Sequence, residues 1–443
     1  MKSPFLAIAI VVAFFLPMLS GAQSVTLETV LETTLEKNPA IQRGRSNLEQ
    51  AAGRRLVLRS IIWPNVKAEA PAGIQGGDRA GQSATTVFGY ARGSFTQLLF
   101  NVAIPPSLRR GDVNLLIAQQ ELNVAVVEQL HAARLAFYAA LYNRDLQSIR
   151  EKERERLDEN VASEKDRYEA GLTDRSALTS ATVQARQLDS QIENAQRAYA
   201  EARIKLAEAM GRDLGPGGTL PEPEGDLQFR TLTADLNSET ASALLRRADL
   251  KLARLLVRAA NDEQRIIEAG YYPTITGTVT GDYIPVFGIH REGSTSQTQD
   301  FLSSEILEGA GYTWQVIDNG KVGGAKMKKR KAREINEVAC QKLEANVGRE
   351  LLRIRNDLES IEAGRRSLAA AADAADQNVL AIKQNLAGGL SSELEYRLAE
   401  SSFLKTKSGL LNAAYLHNVA LAEWDRATGR YFQFSEDTAQ NVH

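Results

Sequence analysis

Two short stretches decide the fold: YEAGLT at residues 168–173 and NLAGGLS at residues 385–391. Each interrupts a long run of helix-forming residues. Glycine accepts the positive φ that commonly ends a helix, and a Ser or Thr just beyond can cap the next helix. Each stretch is therefore predicted to be the tip of a long helical hairpin. One such break alone would indicate only an ordinary helix bundle.

The two stretches belong to an internal duplication. Gly171 and Gly389 lie 218 residues apart (389 − 171), and so do the glycines of AMGR at 209–212 and ATGR at 427–430. Pro64 and Pro273, which each follow a helical pattern, are 209 apart (273 − 64). FN at 100–101 and DN at 318–319 repeat at an offset of 218. An ordered series at nearly constant offset predicts two structural repeats.

Composition and targeting restrict the class of protein. The 443 residues carry 53 Lys and Arg against 55 Asp and Glu, a balance that gives no sign of a nucleic-acid-binding protein. Residues 1–22 have the positive start, apolar run and small-residue end of a secretory signal. The single cysteine, Cys340, excludes an internal disulfide and lies far from the cleavage site, so it offers no N-terminal lipid anchor.

Long helices follow from a heptad pattern of apolar residues. The pattern recurs at spacings of three and four in each half. Its members in the first half are Leu178, Ala181, Ala185, Leu188, Ile192, Ala195, Tyr199, Ala202, Leu206 and Ala209, and less strictly Leu115, Leu122, Val126, Leu130, Ala133, Phe137 and Leu141. Its members in the second half include Leu343, Val347, Leu351, Ile354, Leu358, Leu368, Ala372 and Leu386. From about Pro105 to the first tip, some 65 residues follow the helical pattern. At the helical rise per residue, they would form a helix of roughly 100 Å. A coiled-coil rod or a periplasm-crossing conduit would need that length.

Alternating residues before each long hairpin predict strands. Thr274, Thr276, Thr278, Thr280 and Asp282 alternate with Ile275, Gly277, Val279, Gly281 and Tyr283. Strands are expected at about 66–100 and 274–317, with loops at 71–85 and 285–304. The pattern fits outer-membrane strands and soluble hairpins equally well. Four strands cannot close a membrane barrel, so a membrane location would require several chains; three chains would give twelve strands.

The ordered series resembles the TolC-type outer-membrane efflux channels over nearly the whole mature chain. The matching pieces are NP at 38–39, WP at 63–64, QLLFN at 97–101, YEAGL at 168–172, QVIDNG at 315–320, AGGL at 387–390 and ATG at 427–429. The resemblance implies a mainly α fold with a transmembrane β-barrel. It further implies a homotrimer whose 12-stranded barrel in the outer membrane of a Gram-negative bacterium continues as an α-helical barrel of long antiparallel coiled-coil helices in the periplasm.

The expected organisation has five parts. Residues 1–22 are the signal, 23–212 the first repeat, 213–236 a linker, 237–430 the second repeat and 431–443 a tail. The linker and the tail would belong to a belt around the helices. The tips would span 168–175 and 386–393.

The resemblance also assigns roles at the tips. A periplasmic adaptor protein would dock on Gly171, Leu172, Gly389 and Leu390. The periplasmic gate would involve Asp174, Arg175, Ser176, Ser391, Glu395 and Leu398. Glu395 stands where an acidic ring can face the pore, while Leu398 replaces a second acid. Ser176, Ala177 and Ser391 replace the usual latch residues, and Asp174 and Arg175 offer either another latch or solvated charges at a helix start.

The implied function is a passive exit duct of a tripartite efflux pump or a type I secretion system. Its partners would be the adaptor, an inner-membrane pump of the RND, ABC or MFS type and outer-membrane lipid, with no nucleic acid, cofactor, metal or catalysis. The four histidines show no ligand spacing. The basic run at 321–333 is expected near membrane phosphates, in the pore, or on a solvated helix face. The alternative is a periplasmic coiled-coil adaptor or scaffold without a barrel.

Overall fold

The computed structural model of the chain describes residues 24–79, 82–213, 218–291 and 297–435. The predicted signal sequence and the last part of the predicted tail lie outside the described residues.

The elements follow one another in two similar series. The first consists of β1 (Ser24–Val25), α1 (Leu27–Lys37), α2 (Pro39–Arg59), β2 (Asn65–Glu69), β3 (Ala72–Arg79), β4 (Gln82–Gly89), β5 (Ala91–Phe100), α3 (Ile104–Glu169) and α4 (Arg175–Ala209). The second consists of β6 (Glu222–Pro223), α5 (Leu236–Arg246), α6 (Ala248–Glu268), β7 (Thr274–Arg291), β8 (Gln297–Thr313), α7 (Lys321–Ala387) and α8 (Glu393–Ala427).

Helix lengths repeat between the two series. Helices α1 and α5 have 11 residues each, α2 and α6 have 21 each, and α4 and α8 have 35 each. The short helices α1 and α5 extend the duplication beyond the elements that the sequence pattern revealed.

One predicted alignment of the repeats was wrong by one residue. The side chain of Asn101 accepts a hydrogen bond from the Ala103 amide at 2.7 Å, and that of Asp318 accepts one from the Gly320 amide at 3.0 Å. Asn101 and Asp318 are therefore equivalent, at an offset of 217 rather than 218 (318 − 101). Hydrogen bonds from the backbone amides of Val322 and Gly320 lower the pKa of Asp318, which keeps its carboxylate charged at the start of α7.

A four-stranded antiparallel sheet has the strand order β2-β5-β7-β8. Its register separates two faces, because side chains alternate along each strand. One face carries the polar pairs Thr96–Thr278 and Ser94–Thr280. The other carries Phe95 opposite Val279, which are 41% and 39% exposed. The predicted alternation is thus present.

The two segments predicted as loops are largely strands. Residues 71–85 contain β3 and the start of β4, which pair as a separate two-stranded sheet. Strands β7 and β8 continue through most of 285–304. Glycine and serine suggested loops there, yet the backbone pairs regularly, since neither residue prevents ladder hydrogen bonds.

The chain divides into two compact units, and both repeats contribute to each. Unit 1 comprises residues 1–38, 129–232 and 357–422, and unit 2 comprises 39–128, 233–356 and 423–443. The core of unit 1 gathers Val30, Phe137, Leu141, Leu206 and Met210, all at most 3% exposed. In unit 2, Val113 and Ile117 of α3 pack with Ala259 of α6. The heptad positions predicted in α3 are all buried.

In unit 1, the C-terminal end of α4 packs against the junction between α1 and α2. The amide of Arg212 donates to the carbonyl of Ala207 at 3.0 Å, with Gly211 at a φ of +67°, which is a Schellman motif. A Cβ on Gly211 would lie 2.6 Å from the carbonyl oxygen of Lys37, so no side chain fits there. The buried Asn38 amide group donates to the carbonyl of Ala209 at 3.0 Å.

Unit 2 repeats this arrangement at the equivalent residues. Gly429 has a φ of +69°, and a Cβ on it would approach the Arg247 amide nitrogen at 3.2 Å. The guanidinium of Arg247 donates to the carbonyl of Ala427 at 3.3 Å, as Asn38 does to Ala209. Burial lowers the pKa of Arg247, but hydrogen bonds to Asp249 and Glu350 outweigh it and raise that pKa overall.

By length and composition, α3 is the one helix among the described residues with a window apolar enough to cross a membrane. The window has a mean hydropathy of 1.2, and 44% of it is buried. A buried core helix passes the same test, so α3 carries no evidence of a membrane span.

Candidate functional site

Both predicted tips are helix-ending turns of the same geometry. At the first, the amide of Leu172 donates to the carbonyl of Arg167 at 2.8 Å, and Gly171 has a φ of +72°. At the second, the amide of Leu390 donates to the carbonyl of Asn385 at 2.8 Å, and Gly389 has a φ of +71°. The backbone therefore turns between helices at the two places that the sequence indicated.

Polar residues just beyond the glycines cap the following helices. Asp174, rather than a Ser or Thr, caps α4, and its carboxylate accepts from the Ala177 amide at 3.0 Å. Ser392 caps α8, and its hydroxyl accepts from the Glu395 amide at 3.2 Å. Asp174 therefore has a structural role at a helix start, the alternative to a latch.

The tip turns expose apolar side chains. Leu172 is 72% exposed and Leu390 is 83% exposed. A Cβ on Gly171 or Gly389 would meet nothing within 4 Å, in contrast to Gly211. Within unit 1, these turns thus present an accessible glycine-leucine surface.

The predicted gate residues lie at or near the starts of α4 and α8. Arg175 is the first residue of α4, and Ser176 follows it on the exposed surface. Glu395 is exposed and accepts from the Ser392 amide at 2.8 Å, which completes a capping box. Leu398 is 64% exposed, and Ser391 is half-buried.

Two ion pairs close to the tips connect α3 with α8, and no pattern in the sequence predicted them. Arg397 donates to Glu164 at 3.3 Å, and Arg156 bonds to Glu400. Glu164 is 8% exposed and Glu400 is 9% exposed, so each acid is buried beside its arginine. Their separation in sequence, 233 and 244 residues, left no local pattern to detect.

The pair nearer the middle of the helices extends to a tyrosine. The hydroxyl of Tyr396 donates to Glu400 at 3.2 Å. Burial, followed by the charge of Glu400, raises the pKa of Tyr396. Burial acts to lower the pKa of Arg156, but the hydrogen bond and charge of Glu400 outweigh it and raise that pKa. Arg156 therefore remains a cation and Tyr396 a neutral donor at ordinary pH.

A cavity of about 260 Å³ lies beside these ion pairs. Leu394 and Leu398 of α8 and Asn160 of α3 contribute to its lining. The side-chain oxygen of Asn160 is buried without a hydrogen-bond partner. The packing between α3 and α8 therefore leaves space beside the ion pairs.

The basic run at 321–333 is largely neutralised within unit 2. Lys326 pairs with Glu268 at 3.2 Å and Lys329 with Glu263 at 2.8 Å. Arg330 and Lys331 both pair with Glu334. Hydrogen bonds from Lys329 and Arg110 outweigh burial and lower the pKa of Glu263. These pairings place several cations of the run beside carboxylates of unit 2, and the three surroundings expected for the run stay predictions.

Among the residues that the structure describes, no group of three or more His, Cys, Asp or Glu could hold a metal ion. His131 and His417 are buried, and Cys340 is a buried free thiol.

Comparison with known proteins identifies the fold. No protein-family model matches the chain. No curated protein matches it either. The CmeC outer-membrane channel of Campylobacter jejuni superimposes with a TM-score of 0.79 at 15% identity, over 94% of this chain and 88% of CmeC. The outer-membrane protein VceC of Vibrio cholerae gives 0.75 at 18% identity, over 91% and 96%. The open state of the MtrE outer-membrane channel of Neisseria gonorrhoeae gives 0.74 at 17% identity, over 91% and 88%.

These similarities show the fold of TolC-type outer-membrane channels along nearly the whole chain. The chain is mainly helical, as predicted, and similar in fold to these channels.

Proposed function

We propose that this chain is the passive exit duct of a tripartite efflux pump or a type I secretion system in the outer membrane of a Gram-negative bacterium. Three copies would form a 12-stranded barrel in the membrane and an α-helical barrel in the periplasm. Energy would come from an inner-membrane pump of the RND, ABC or MFS type, reached through a periplasmic adaptor. The duct itself would catalyse nothing.

The observation that carries this proposal is the four-stranded sheet. It has one polar face and one face of exposed apolar residues, among them Val66, Phe95, Val279 and Tyr312. Its edge strands β2 and β8 lack a second neighbour among the described residues. Such a sheet suits lipid on one face and water on the other, provided that further copies of the chain pair with its edges.

Charge placed on the apolar face tests the membrane location. Arginine at the lipid face of a barrel costs about 2–4 kcal/mol at the membrane midplane, whereas lumen positions tolerate charge. Val279→Arg should therefore reduce assembly into the outer membrane strongly, as measured by membrane fractionation and detergent-stable trimers on gels.

Thr278→Arg is the matched control, because it places the same charge one residue away on the polar face. It should assemble normally. Equal and normal assembly of both variants would favour the alternative function, a periplasmic adaptor or scaffold without a barrel.

The tip turns support docking of the adaptor. Leu172 and Leu390 stand exposed on turns that hydrogen-bond their own backbones and leave open space around each glycine. Exposed apolar residues on a rigid backbone favour a partner that covers them. The proposed docking surface therefore consists of Gly171, Leu172, Gly389 and Leu390.

Photo-cross-linking tests the docking surface. A photoreactive amino acid at Leu172 or Leu390 should capture a periplasmic protein with an inner-membrane anchor, identified by mass spectrometry. The same group at Leu245, which is 71% exposed on α5, serves as the control and should not. Capture of nothing but other copies of this chain from both tips would contradict the assignment.

We further propose that the two ion pairs between α3 and α8 hold the tips closed. They join the first hairpin to the second, close to the residues assigned to the gate. Removing one partner of a buried pair costs up to about 3–5 kcal/mol, and less here because Arg156 is 45% exposed. Asp174, Arg175, Ser176, Ser391, Glu395 and Leu398 would line the constriction that these pairs hold together.

Charge reversal tests this latch in planar bilayers. Arg156→Glu or Glu400→Arg alone should raise the resting conductance several-fold, because like charges would then face each other across the helices. The double variant restores opposite charges and should return the conductance toward that of the natural protein.

Arg254→Glu is the control, since Arg254 pairs with Glu344 at 2.7 Å in unit 2 and its side chain is 43% exposed, close to the 45% of Arg156. It should leave conductance unchanged. An unaltered conductance in both latch variants would refute the latch.

In the same recordings, Glu395→Gln keeps the capping box but removes a charge, so unchanged ion preference would exclude a selective ring at Glu395.

A further inference from the structure

One row of charged residues crosses all four strands of the sheet. The register places Glu69 of β2 opposite Arg92 of β5, Arg92 opposite Asp282 of β7, and Asp282 opposite Glu305 of β8. Directly opposite side chains on neighbouring strands lie on the same face and within interaction distance. The row therefore combines three carboxylates and one guanidinium on one face of one sheet.

The centre of the row is fixed by a bidentate ion pair. Arg92 Nε donates to Asp282 Oδ1 at 2.7 Å, and Arg92 Nη2 donates to Asp282 Oδ2 at 3.1 Å. The fork geometry of this pair orients both side chains. Because Arg92 and Asp282 neutralise each other, the net charge of the row is that of Glu69 and Glu305, which are both exposed at its ends.

The row lies on the polar face. The adjacent row of that face contains Lys67, Ser94, Thr280 and the exposed Leu307, and the next row contains Thr96 with Thr278. Lys67 therefore places a cation one row from Glu69. The opposite face carries the apolar pair Phe95–Val279 and the carboxylate of Glu308 on β8. In a barrel with apolar residues toward lipid, the row faces the lumen.

We propose that the row of Glu69, Arg92, Asp282 and Glu305 forms an ion-selectivity ring inside the barrel that favours cations, which rests on the proposed function. Each copy would contribute two carboxylates that have no partner within the row. Fixed negative charge on the lumen wall raises the local concentration of cations and repels anions. Because strands tilt in a barrel, each row would run obliquely around the lumen, and the rows of three copies would together form the ring.

Two features of the structure set the expected size of the effect. Lys67 offsets part of the charge, so the preference for cations should be moderate rather than absolute. Charges at a wide, wet opening are screened over about 10 Å at 0.1 M salt and about 3 Å at 1 M. The selectivity contributed by this row should therefore be evident in dilute salt and fade in concentrated salt.

The test is the K⁺/Cl⁻ permeability ratio of the full-length protein in planar bilayers under a KCl gradient below 0.1 M. The double variant Glu69→Gln, Glu305→Gln should lower this ratio at least twofold and leave Lys67 to give a weak preference for anions. Glu308→Gln removes a carboxylate from β8 on the other face and should leave the ratio unchanged. An equal ratio in the double variant and the natural protein, or an equal fall in Glu308→Gln, would overturn the proposal.

A cysteine variant avoids dependence on the folding of the double variant. In a Cys340→Ala background, Glu305→Cys can be modified in the assembled channel with an anionic or a cationic methanethiosulfonate. The anionic reagent should restore the cation preference and the cationic reagent should reverse it. Identical ratios with both reagents after complete labelling would overturn the selectivity ring. Absence of any conductance by the natural protein would instead refute the channel function itself.

Discussion

The unpaired edges of one sheet are the constraint on which the proposed assembly depends. Strands β2 and β8 bound a four-stranded antiparallel sheet, and four strands are too few to close on themselves. In lipid, each unpaired backbone amide and carbonyl would cost several kcal/mol because no water replaces the missing bond. In the proposed assembly, the apolar face of the sheet meets lipid. Pairing with further copies of the chain would supply the missing backbone hydrogen bonds and leave the polar face lining a lumen.

The helical part of the molecule contains the same type of glycine turn in two different surroundings. The glycine turns at Gly211 and Gly429 have helix junctions packed against them, and their helix-end carbonyls accept from Asn38 and Arg247. The turns at the tips have the same backbone geometry, but a Cβ added to either glycine would meet no atom within 4 Å. Packed turns fix the helices within their units, whereas open turns leave a surface for a partner. Gene duplication placed both kinds at a constant offset, so each half of the chain carries one of each.

Local signals in the sequence were sufficient for the turns, the heptad positions of α3 and the alternation of β7, because each depends on residues close together in the chain. Prediction from the sequence failed where contacts between separate segments of the chain determine the structure. Glycine-rich residues 71–85 form strands because a neighbouring strand supplies hydrogen bonds that composition does not reveal. The cap of α4 is Asp174 rather than the predicted Ser or Thr, since any of several adjacent polar residues can cap a helix. The ion pairs of Glu164 and Glu400 join distant segments, and no local pattern announces such contacts.

Disulfide formation between the sheet edges tests the central claim most directly. Ala68 of β2 and Ile306 of β8 share the face that also holds Gly93 and Gly281, and three strand spacings of about 4.8 Å separate them within one chain. That separation exceeds the reach of a disulfide, so a bond between cysteines there must join two chains. In a Cys340→Ala background, Ala68→Cys combined in turn with a single cysteine at successive positions along β8 should yield covalent dimers and trimers in outer membranes from at least one combination, because barrel closure staggers the register between copies. Monomers from every combination, in protein that has reached the membrane, would contradict closure of the sheet by neighbouring copies.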